Sequence, residues 1–503
     1  MTSPLLPPRS RKRLDESIPP IIRPLIRAYV LGYASTVTPR LLTLILKHVT
    51  RSRRDKGAVI VTQPHDSFIS SLQRIVRGGL ELQRFPTFCA ALVGGTTLLE
   101  ARSPMITLYM LDARFETYSR CYPESVKLTY LSIEGFAELA SWLSTFIAAW
   151  LSLRLLQSKK SDGFSKTVTV DSDDPQCAKQ ETVHYAGRTL DLTLFAVTRA
   201  LDVIVSEVWT RRGQRRVTTG KWTWAESLVS KLADPTIFAT SSALIMWAWF
   251  YYPSQLPKAY TKWISSAAAI DLRLIEALKR CRNGELRYGE ETGQAPLLQS
   301  MCEDYRWPLA WGDPVQSIPF PCHLVHMRYG VSCEYNALSR FFRSFKWAMT
   351  TYLPLNLLAR KKNLKGVKMA FLSAARSSSF LATFIALFYY GVCLARTRLG
   401  PHVVGKDTRS RQTIDQGLCI GVGCFLCGWS VLVEKAARRK ELALFVAPRA
   451  MATLLPRRYS LDKQWRETFV FAFSTAVVFT CVKENRGRVR GMFGRLLGAV
   501  LEP

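Results

Sequence analysis

Three long stretches of the chain carry no charged residue, and they constrain the fold more than any other feature. They cover residues 236–257, 377–395 and 416–433, which are 22, 19 and 18 positions long. A helix needs roughly 20 apolar residues to cross a bilayer core of about 30 Å. Gly and Ser make the stretches only moderately hydrophobic, but their length predicts an all-α, polytopic integral membrane protein.

The rest of the chain is strongly basic. It holds 69 Lys and Arg against 38 Asp and Glu, which gives a formal net charge of +31. Such an excess is typical of proteins that contact nucleic acid or an anionic membrane surface. The uncharged stretches favour the membrane, and the sequence has no recognisable nucleic-acid-binding module. We therefore expect a bilayer with anionic lipids as the partner, and no nucleic acid.

The N-terminus and the Cys residues indicate the compartment. The first twenty residues are basic and rich in Pro, which predicts a disordered arm, and they lack the apolar core of a secretory signal peptide. The 12 Cys show no spacing typical of a disulfide framework. We therefore expect reduced thiols on an intracellular membrane.

Helical patterns predict two membrane blocks of about four helices each, at 85–257 and 368–490. The candidate membrane helices are 85–99, 135–153, 189–209, 236–252, 368–396, 414–434, 441–455 and 468–482. Residues 1–84 form a basic arm with interfacial helices, and residues 258–320 an amphipathic helix (258–283) with a Gly- and Pro-containing linker. Residues 321–367 hold the Cys/His box with a basic amphipathic segment, and residues 491–503 are a C-terminal tail. Residues 158–181, rich in Ser, Asp, Lys and Thr, predict a solvated loop.

The two blocks resemble each other. Residues 191–200 align with 441–450, and residues 238–243 align with 471–476 in the same order. Five identities in the first alignment recur 250 positions later, starting from Leu192, Leu194, Phe195, Arg199 and Ala200. Internal repeats in membrane proteins often build a pseudo-symmetric bundle. The alignments predict such a repeat, and shared membrane composition is the alternative explanation.

Arg199 and Arg449 occupy the same place in the two aligned helices, which are otherwise apolar there. An Arg at membrane depth costs about 2.5–3.5 kcal/mol on insertion scales and usually faces the interior of a bundle or an aqueous cavity. Interfacial helices, or side chains that extend to the membrane surface, account for these two residues equally well. Both interpretations stay open at this point.

Gly417 and Gly421 form a pair of small residues four positions apart in an apolar helix, and Gly423 and Gly428 extend the small surface. Without side chains, such positions allow the backbone of another helix to approach closely. The spacing predicts a helix-packing surface at Gly417 and Gly421.

Two Cys and two His fall within twelve residues, at Cys322, His323, His326 and Cys333. Zinc prefers these side chains, and a structural zinc site takes four ligands in a tetrahedral array. Adjacent Cys322 and His323 would chelate awkwardly, so Cys302 is an alternative ligand. The box supplies the ligand types of a structural zinc ion, but an ordered loop with buried Cys or a redox-sensitive thiol pair is the more common explanation of such a pattern. We expect no other cofactor.

The Cys/His box and the segment after it resemble the transmembrane protein 135 family. The matching features are the box, Phe345-Lys346, Tyr352-Leu-Pro354-Leu, Arg360-Lys361-Lys362 and the following apolar helix. The resemblance is best over 320–480 and extends more weakly over 85–257. The first block departs from the pattern, since Gln63-Pro64-His65 stands at the comparable place without Cys.

The resemblance implies a repeated four-helix architecture, related to the translocase-channel proteins of the mitochondrial inner membrane. It implies a location in the peroxisomal or mitochondrial membrane and a role in lipid handling, peroxisome behaviour or mitochondrial shape and division. The family offers no catalytic residues to transfer. We therefore expect a non-enzymatic integral membrane protein that acts in lipid or metabolite movement or in organelle dynamics, as a homo-oligomer or with other organelle membrane proteins.

Two other functions remain open. A translocase-like or channel-like component would use Arg199 and Arg449 to line a polar cavity. A membrane-bound acyltransferase would use His402 as general base, with Asp407 at the spacing H-x4-D. His65-Asp66-Ser67 has the residue types of a catalytic triad, but adjacent residues cannot form one.

Overall fold

The computed structural model describes residues 19–54, 68–101, 124–159, 161–170, 179–327, 329–358, 363–485 and 487–501. Helices form nearly all of the regular structure in these ranges, and the sheet found there is a single two-stranded hairpin. The all-α prediction is therefore confirmed. The basic arm at 1–18, the candidate triplet 65–67 and the basic cluster 360–362 lie outside the described residues.

In chain order, the helices of the described ranges are α1 Arg23–Arg54, α2 Phe68–Gly79, α3 Phe85–Ala101, α4 Glu124–Gln157, α5 Leu190–Thr218, α6 Trp224–Tyr251, α7 Lys258–Ala268, α8 Leu272–Asn283, α9 Ala295–Tyr305, α10 Cys322–His326, α11 Cys333–Leu358, α12 Leu364–Thr397, α13 Leu399–Val403, α14 Thr408–Thr413, α15 Cys419–Cys427, α16 Ala436–Thr453, α17 Gln464–Glu484 and α18 Gly491–Leu501. A π-helical turn at Ile414–Leu418 precedes α15, and a 3-10 helix at Gly428–Val433 follows it. Strands β1 Ser165–Val170 and β2 Lys179–His184 pair antiparallel between α4 and α5.

Four helical stretches of the described chain are long and apolar enough to cross a membrane. They are Glu138–Gln157, Leu364–Val403, Thr408–Val433 and Leu461–Glu484. Helices α3 and α18 are also apolar but shorter. Three other predicted membrane helices fall in α5, α6 and α16, which are not among these four stretches. Charged residues interrupt α5 and α16.

The contacts divide the chain into two compact units. Unit 1 consists of residues 1–212 and 458–503, and unit 2 of residues 213–457. Unit 1 therefore holds α1–α5, except the last residues of α5, together with α17 and α18. Unit 2 holds α6–α16. Each of the two sequence blocks, 85–257 and 368–490, contributes helices to both units.

The core of unit 1 forms where α1, α3, α4, α5, α17 and α18 present their apolar faces. Phe88 and Leu92 of α3 lie four positions apart, as do Ala149 and Leu153 of α4, so each pair faces the same side of its helix. Phe471 of α17 packs against them in the same cluster.

Unit 2 has two clusters of buried apolar side chains. The larger joins α6, α7, α12, α15 and α16 and contains Phe238, Ile385 and Cys424. The smaller lies beneath the Cys/His box and joins α8 and α9 to Phe320 and Leu324. It anchors the segment before α10, and this anchoring positions the box.

The amphipathic segment predicted over 258–283 is interrupted. Ala269 adopts a left-handed backbone conformation, with φ of 46°, and separates α7 from α8. The carbonyl of Ala268 accepts hydrogen bonds from Arg340 of α11 at 3.2 Å and from the Tyr389 hydroxyl of α12 at 2.9 Å. These distant donors satisfy the end of α7 and replace the helical hydrogen bonds that a continuous helix would make.

Three further segments differ from the sequence predictions. The predicted loop 158–181 contains strand β1, in which Thr and Val, both good strand formers, alternate. The predicted linker contains α9, whose Leu298 and Met301 are fully buried. The predicted C-terminal tail forms α18, which buries Leu497 and Val500 in the core of unit 1. In each case apolar spacing within a short segment outweighs its Gly, Pro or polar content.

Candidate metal centre and apolar cavities

The Cys/His box folds into a compact cluster in unit 2. Cys322 and His326 are the first and last residues of α10, and Cys333 is the first residue of α11. Residues four positions apart lie on the same face of a helix, so Cys322 and His326 point the same way. The loop after α10 brings back Cys333, and the ligand atoms of the three residues lie within 4.8 Å of one another.

Cys393 of α12 completes this cluster. Its Sγ lies 3.3 Å from His326 Nε2, and its thiol neighbours those of Cys322 and Cys333. All three Cys are free thiols. Three thiols and one imidazole from α10, α11 and α12 therefore lie together, and we call these four residues the Cys₃His cluster.

Two sets of distances in the Cys₃His cluster can be compared with a tetrahedral zinc site: His326 to Cys393, and the separations among Cys322, His326 and Cys333. Zinc–ligand bonds of about 2.0–2.3 Å place the ligand atoms of a tetrahedron about 3.3–3.8 Å apart. The 3.3 Å separation between His326 Nε2 and Cys393 Sγ meets this requirement. The ligand atoms of Cys322, His326 and Cys333 lie within 4.8 Å of one another, so their separations exceed the tetrahedral distances by at most about 1 Å. Side-chain rotations that bring these atoms closer together would be needed to bind the ion.

His326 is held in the form that a metal requires. Its side chain is fully buried, and its Nδ1 lies 2.9 Å from the carbonyl oxygen of Gly330. A carbonyl only accepts, so Nδ1 carries the proton and Nε2 presents its lone pair to the thiols. Burial also lowers the pKa of His326, which favours the neutral ring. Metal-binding His residues commonly donate their other N–H to a backbone carbonyl in this way.

Cys322 and Cys393 do not have the character of reactive redox thiols. Burial raises the pKa of the Cys322 thiol to about 11, and the neighbouring charge of Arg396 opposes that rise. Reactive thiols need a lowered pKa and access to solvent, because the thiolate is the nucleophile. Cys393 is 1% exposed, which also excludes it from reaction with solutes.

The other two predicted ligands lie outside the Cys₃His cluster. The ring of His323 stacks on Trp311, with 4.9 Å between centroids. Cys302 is fully buried in the apolar cluster around α9. Cys393 thus occupies the place for which His323 and Cys302 were considered. Its position 60 residues after Cys333, inside an apolar helix where a Cys ordinarily packs as a small hydrophobe, offered no spacing signal.

A buried ion pair lies one helical turn beyond Cys393. Arg396 Nε and Nη2 donate to the two carboxylate oxygens of Asp415 at 2.7 and 2.8 Å. Nη2 also donates to the Phe320 carbonyl oxygen at 3.2 Å, and the Tyr288 hydroxyl donates to Asp415. Sequence reasoning missed this pair, although Arg396 and Asp415 are the charges that bound two of the uncharged stretches.

Each unit contains an apolar cavity. The cavity of unit 1 measures about 320 Å³ and lies among α1, α3, α5, α17 and α18. The cavity of unit 2 measures about 370 Å³ and lies among α6, α7, α11, α12 and α16. Aliphatic and aromatic side chains form most of both linings.

Lining residues of the two cavities recur at fixed separations in the sequence. Between α5 and α16 the separation is 250 positions, as for Leu192 and Leu442, Phe195 and Phe445, and Ala196 and Val446. Helices α6 and α17 correspond at 233 positions, through Phe238 and Phe471, Ser242 and Thr475, Ile245 and Val478, and Met246 and Phe479. The same 233 positions relate α7 to α18, through Tyr260 and Phe493, Trp263 and Leu496, Ile264 and Leu497, and Ala267 and Val500.

Arg199 lies beside the cavity of unit 1, between two aromatic rings. Its guanidinium is 5.2 Å from the ring centroids of both Phe195 and Phe493. It also donates to the Arg490 carbonyl oxygen at 3.3 Å, and its side chain is buried. Cation–π contacts of this kind offset part of the cost of burying a guanidinium.

Arg449 in unit 2 is half-buried, unlike Arg199, but it also lies near two aromatic rings. Its guanidinium is 4.2 Å from the Phe445 ring centroid and 5.8 Å from that of Tyr260. Phe445 lies 250 positions after Phe195, and Tyr260 lies 233 positions before Phe493. Both Arg residues that the alignment paired are therefore placed between the same two corresponding rings.

Gly417 and Gly421 face side chains of α6 and α8. A Cβ on Gly421 would meet the Trp247 ring at 3.8 Å, and one on Gly417 would lie 2.9 Å from Arg282 Nη1. These positions face an aromatic–cationic contact, since the Arg282 guanidinium lies 4.7 Å from the Trp247 ring centroid.

Close approach of helix backbones occurs at the two glycines that extend the pair. A Cβ on Gly391 of α12 would lie 3.0 Å from the Gly423 Cα of α15. A Cβ on Gly428 would lie 2.4 Å from the Ala239 Cα of α6. The small-residue surface thus packs against helix backbones at Gly423 and Gly428.

The two residues of the acyltransferase hypothesis have ordinary surroundings. His402 is exposed on the short helix α13. Asp407 is the N-cap of α14 and accepts from the Ser410 hydroxyl at 2.7 Å and from the Ser410 backbone N–H at 3.2 Å. Capping is a common role of Asp before a helix, and these hydrogen bonds lower the pKa of Asp407.

No protein-family model, curated protein or solved structure matches this chain. The described part of the chain is all-α, and four of its helices are long and apolar enough to cross a membrane. Each unit contains an apolar cavity, and unit 2 also contains the Cys₃His cluster.

Proposed function

We propose that the protein is a non-enzymatic integral membrane protein that binds the apolar part of one lipid in each unit. The observation that carries the proposal is the pair of apolar cavities lined from corresponding positions. Their volumes of about 320 and 370 Å³ fall within the range of small-molecule sites, about 300–1,000 Å³. An acyl chain suits such a lining because it needs no hydrogen-bonding partner.

The lipid that we propose carries an anionic head group. A guanidinium pairs with phosphate or carboxylate through two parallel hydrogen bonds, and Arg199 lines the cavity of unit 1. Arg449 lies beside the cavity of unit 2, also near two aromatic rings. The net charge of +31 also favours an anionic membrane surface.

We further propose that the chain is an internal repeat of six helices. The first copy is α1, α3, α4, α5, α6 and α7, and the second is α11, α12, α15, α16, α17 and α18. The corresponding positions support this assignment, since one separation of 233 positions spans both α6 and α7. The last two helices of each copy belong to the unit that holds the first four helices of the other copy.

The location that we propose is the peroxisomal or mitochondrial membrane, with a role in lipid movement or organelle dynamics. The resemblance to the transmembrane protein 135 family supports this location, and the four apolar helices support integral insertion. A tagged copy should co-localise with peroxisomal or mitochondrial markers and resist alkaline carbonate. Release of the protein by carbonate would contradict integral insertion.

A translocase-like or channel-like component is the second candidate, and the buried guanidinium of Arg199 is the observation in its favour. An apolar cavity lining favours an acyl chain over an ion or hydrated solute, because a desolvated polar solute would find few partners there. Replacing Arg199 and Arg449 with Leu should abolish solute flux across reconstituted vesicles if this candidate is right. Unchanged flux would reject it.

Lipid counting on the full-length protein tests the lipid-binding function. Native mass spectrometry in mild detergent should find two retained lipids per chain. Ser242→Phe fills the cavity of unit 2 and should remove one lipid, Thr475→Phe should remove the other, and the double variant should retain none. Thr240→Phe is the matched control, because residue 240 is exposed and Phe473 stands at the corresponding position. Folded variants that still hold two lipids would reject the function.

A further inference from the structure

We propose that Cys322, His326, Cys333 and Cys393 bind one zinc ion, which fastens the Cys/His box to the end of α12. Three thiolates and one imidazole are an established ligand set of structural zinc sites. Calcium and magnesium prefer oxygen ligands, whereas a tetrahedral arrangement of sulfur and nitrogen is characteristic of zinc. The chemistry of the donors therefore selects the metal.

The convergence of these side chains distinguishes the Cys₃His cluster from ordinary buried Cys. Cys424 and Cys427 are also buried, but the Cys427 thiol donates to the Cys424 carbonyl oxygen of its own helix at 3.2 Å. In the Cys₃His cluster, by contrast, thiols from three different helices surround one imidazole: Cys322 and Cys333 have their Sγ atoms within 4.8 Å of a His326 ring nitrogen and of each other, and Cys393 Sγ lies 3.3 Å from His326 Nε2. An arrangement that depends on three separate elements serves no evident packing purpose.

The charge of the occupied site can be accommodated. Zinc would displace one proton from each of three thiols, and the complex of Zn²⁺ with three thiolates and a neutral imidazole carries one net negative charge. Cys333 is the first residue of α11, a helix of 26 residues, and helix N-termini favour negative charge. Arg396, one turn after Cys393, adds positive charge close to the thiols.

The proposed site is structural rather than catalytic. Four protein ligands complete a tetrahedron and leave no position for water or substrate, whereas catalytic zinc sites keep one position open. The ion would join α10 and α11 to an apolar helix that is long enough to cross a membrane. Loss of the metal should therefore loosen residues 322–333, while the apolar cavity of unit 2, which these residues do not line, should persist.

The test is elemental analysis of the full-length protein, purified in detergent with zinc and without chelators. The wild-type protein should hold one zinc ion per chain, and Cys393→Ser and His326→Gln should reduce zinc to background. His323→Ala and Cys302→Ser, which alter the other candidate ligands, should keep full zinc. Cys424→Ser controls for the loss of a buried thiol in an apolar helix.

Two further measurements separate loss of a ligand from misfolding. His326→Cys supplies a thiolate in place of the imidazole and should retain zinc. In the wild-type protein, a chelator should accelerate alkylation of Cys322 and Cys333 but not of Cys424. Wild-type protein with no bound zinc, iron in its place, or full zinc in Cys393→Ser would each overturn the proposal.

Discussion

Arg396 and Asp415 form a bidentate ion pair whose two side chains are only 3% and 1% exposed. Withdrawing two charges from water costs several kcal/mol, which their attraction and hydrogen bonds roughly offset. The pair therefore contributes little net stability while it is intact. It matters because removing one partner leaves the other charge buried and unpaired. It also specifies how the end of α12 meets the turn before α15.

We predict that Arg396→Leu and Asp415→Leu each destabilise the protein by about 3–5 kcal/mol, the usual result of breaking a buried pair. The double variant should recover most of this loss, because no unpaired charge remains. Chemical unfolding in detergent measures these changes. Arg398→Leu, which breaks the exposed pair with Glu334, is the control and should have little effect. Additive losses in the double variant would contradict the explanation.

The sequence revealed part of this chemistry and could not reveal the rest. Cys322, His326 and Cys333 were identifiable because their ligand types cluster within twelve residues. Cys393 and the partnership of Arg396 with Asp415 depend on which helix ends meet in space, and no local pattern encodes that. Arg396 and Asp415, which end two of the uncharged stretches, nevertheless mark the position of the pair. A charged residue at the end of an apolar helix can make a buried ion pair as well as face solvent.

Helices α12 and α15 pack so closely that their backbones touch. A Cβ on Gly423 would lie 2.8 Å from the Phe388 carbonyl oxygen. A backbone atom cannot move aside as a flexible side chain can, so the whole helix must shift. A Cβ on Gly421 would find its nearest neighbour, the Trp247 ring, at 3.8 Å, an ordinary contact distance.

Matched alanine substitutions should therefore have opposite effects. Gly423→Ala should destabilise the protein by about 1–3 kcal/mol, the usual cost of overpacking. Gly421→Ala should be neutral or stabilising by up to about 1 kcal/mol, because Ala favours helix more than Gly does. Thermal unfolding of the two variants in the same detergent checks the difference. Equal stabilities would show that α12 and α15 do not meet at Gly423.

The helix predictions held for short and long apolar runs alike. The candidate helices 85–99 and 368–396 lie within α3 and α12, because apolar residues without charges or turn signals favour helix over loop. The break at Ala269 was not predictable, since its cause is a pair of hydrogen bonds from α11 and α12 to the Ala268 carbonyl. Short helices such as α9 form for the same reason: burial against neighbours outweighs local composition.

The exchange of helices between the two proposed copies rests on contacts as well as on corresponding positions. The rings of Phe88 in α3 and Phe471 in α17 are 5.8 Å apart. In unit 2, the rings of Phe380 in α12 and Phe238 in α6 are 5.7 Å apart. Phe471 and Phe238 correspond at 233 positions. In both units, therefore, the penultimate helix of one proposed copy packs on the second helix of the other.

Sequence alignment alone could detect only a fragment of this correspondence. Residues 238–243 and 471–476 share enough identities to be aligned. Helices α7 and α18 do not, because Tyr260 stands for Phe493 and Ile264 for Leu497. These pairs share size and apolar character, and only the cavity linings suggest their proposed equivalence. Sequence order alone would not indicate the proposed exchange.

Chemical cross-linking tests the exchange. We predict that Phe88→Cys with Phe471→Cys, and Phe380→Cys with Phe238→Cys, are joined by a short bifunctional thiol reagent, because each pair is in ring contact within its unit. The readout is an intramolecular cross-link detected by peptide mass spectrometry of the full-length protein. Single variants provide the background from native thiols. A cross-link between Phe88→Cys and Phe238→Cys instead would show that α3 contacts α6 of the same copy, which contradicts the exchange. The repeat would then be two consecutive bundles, and the shared lining of each cavity would need another explanation.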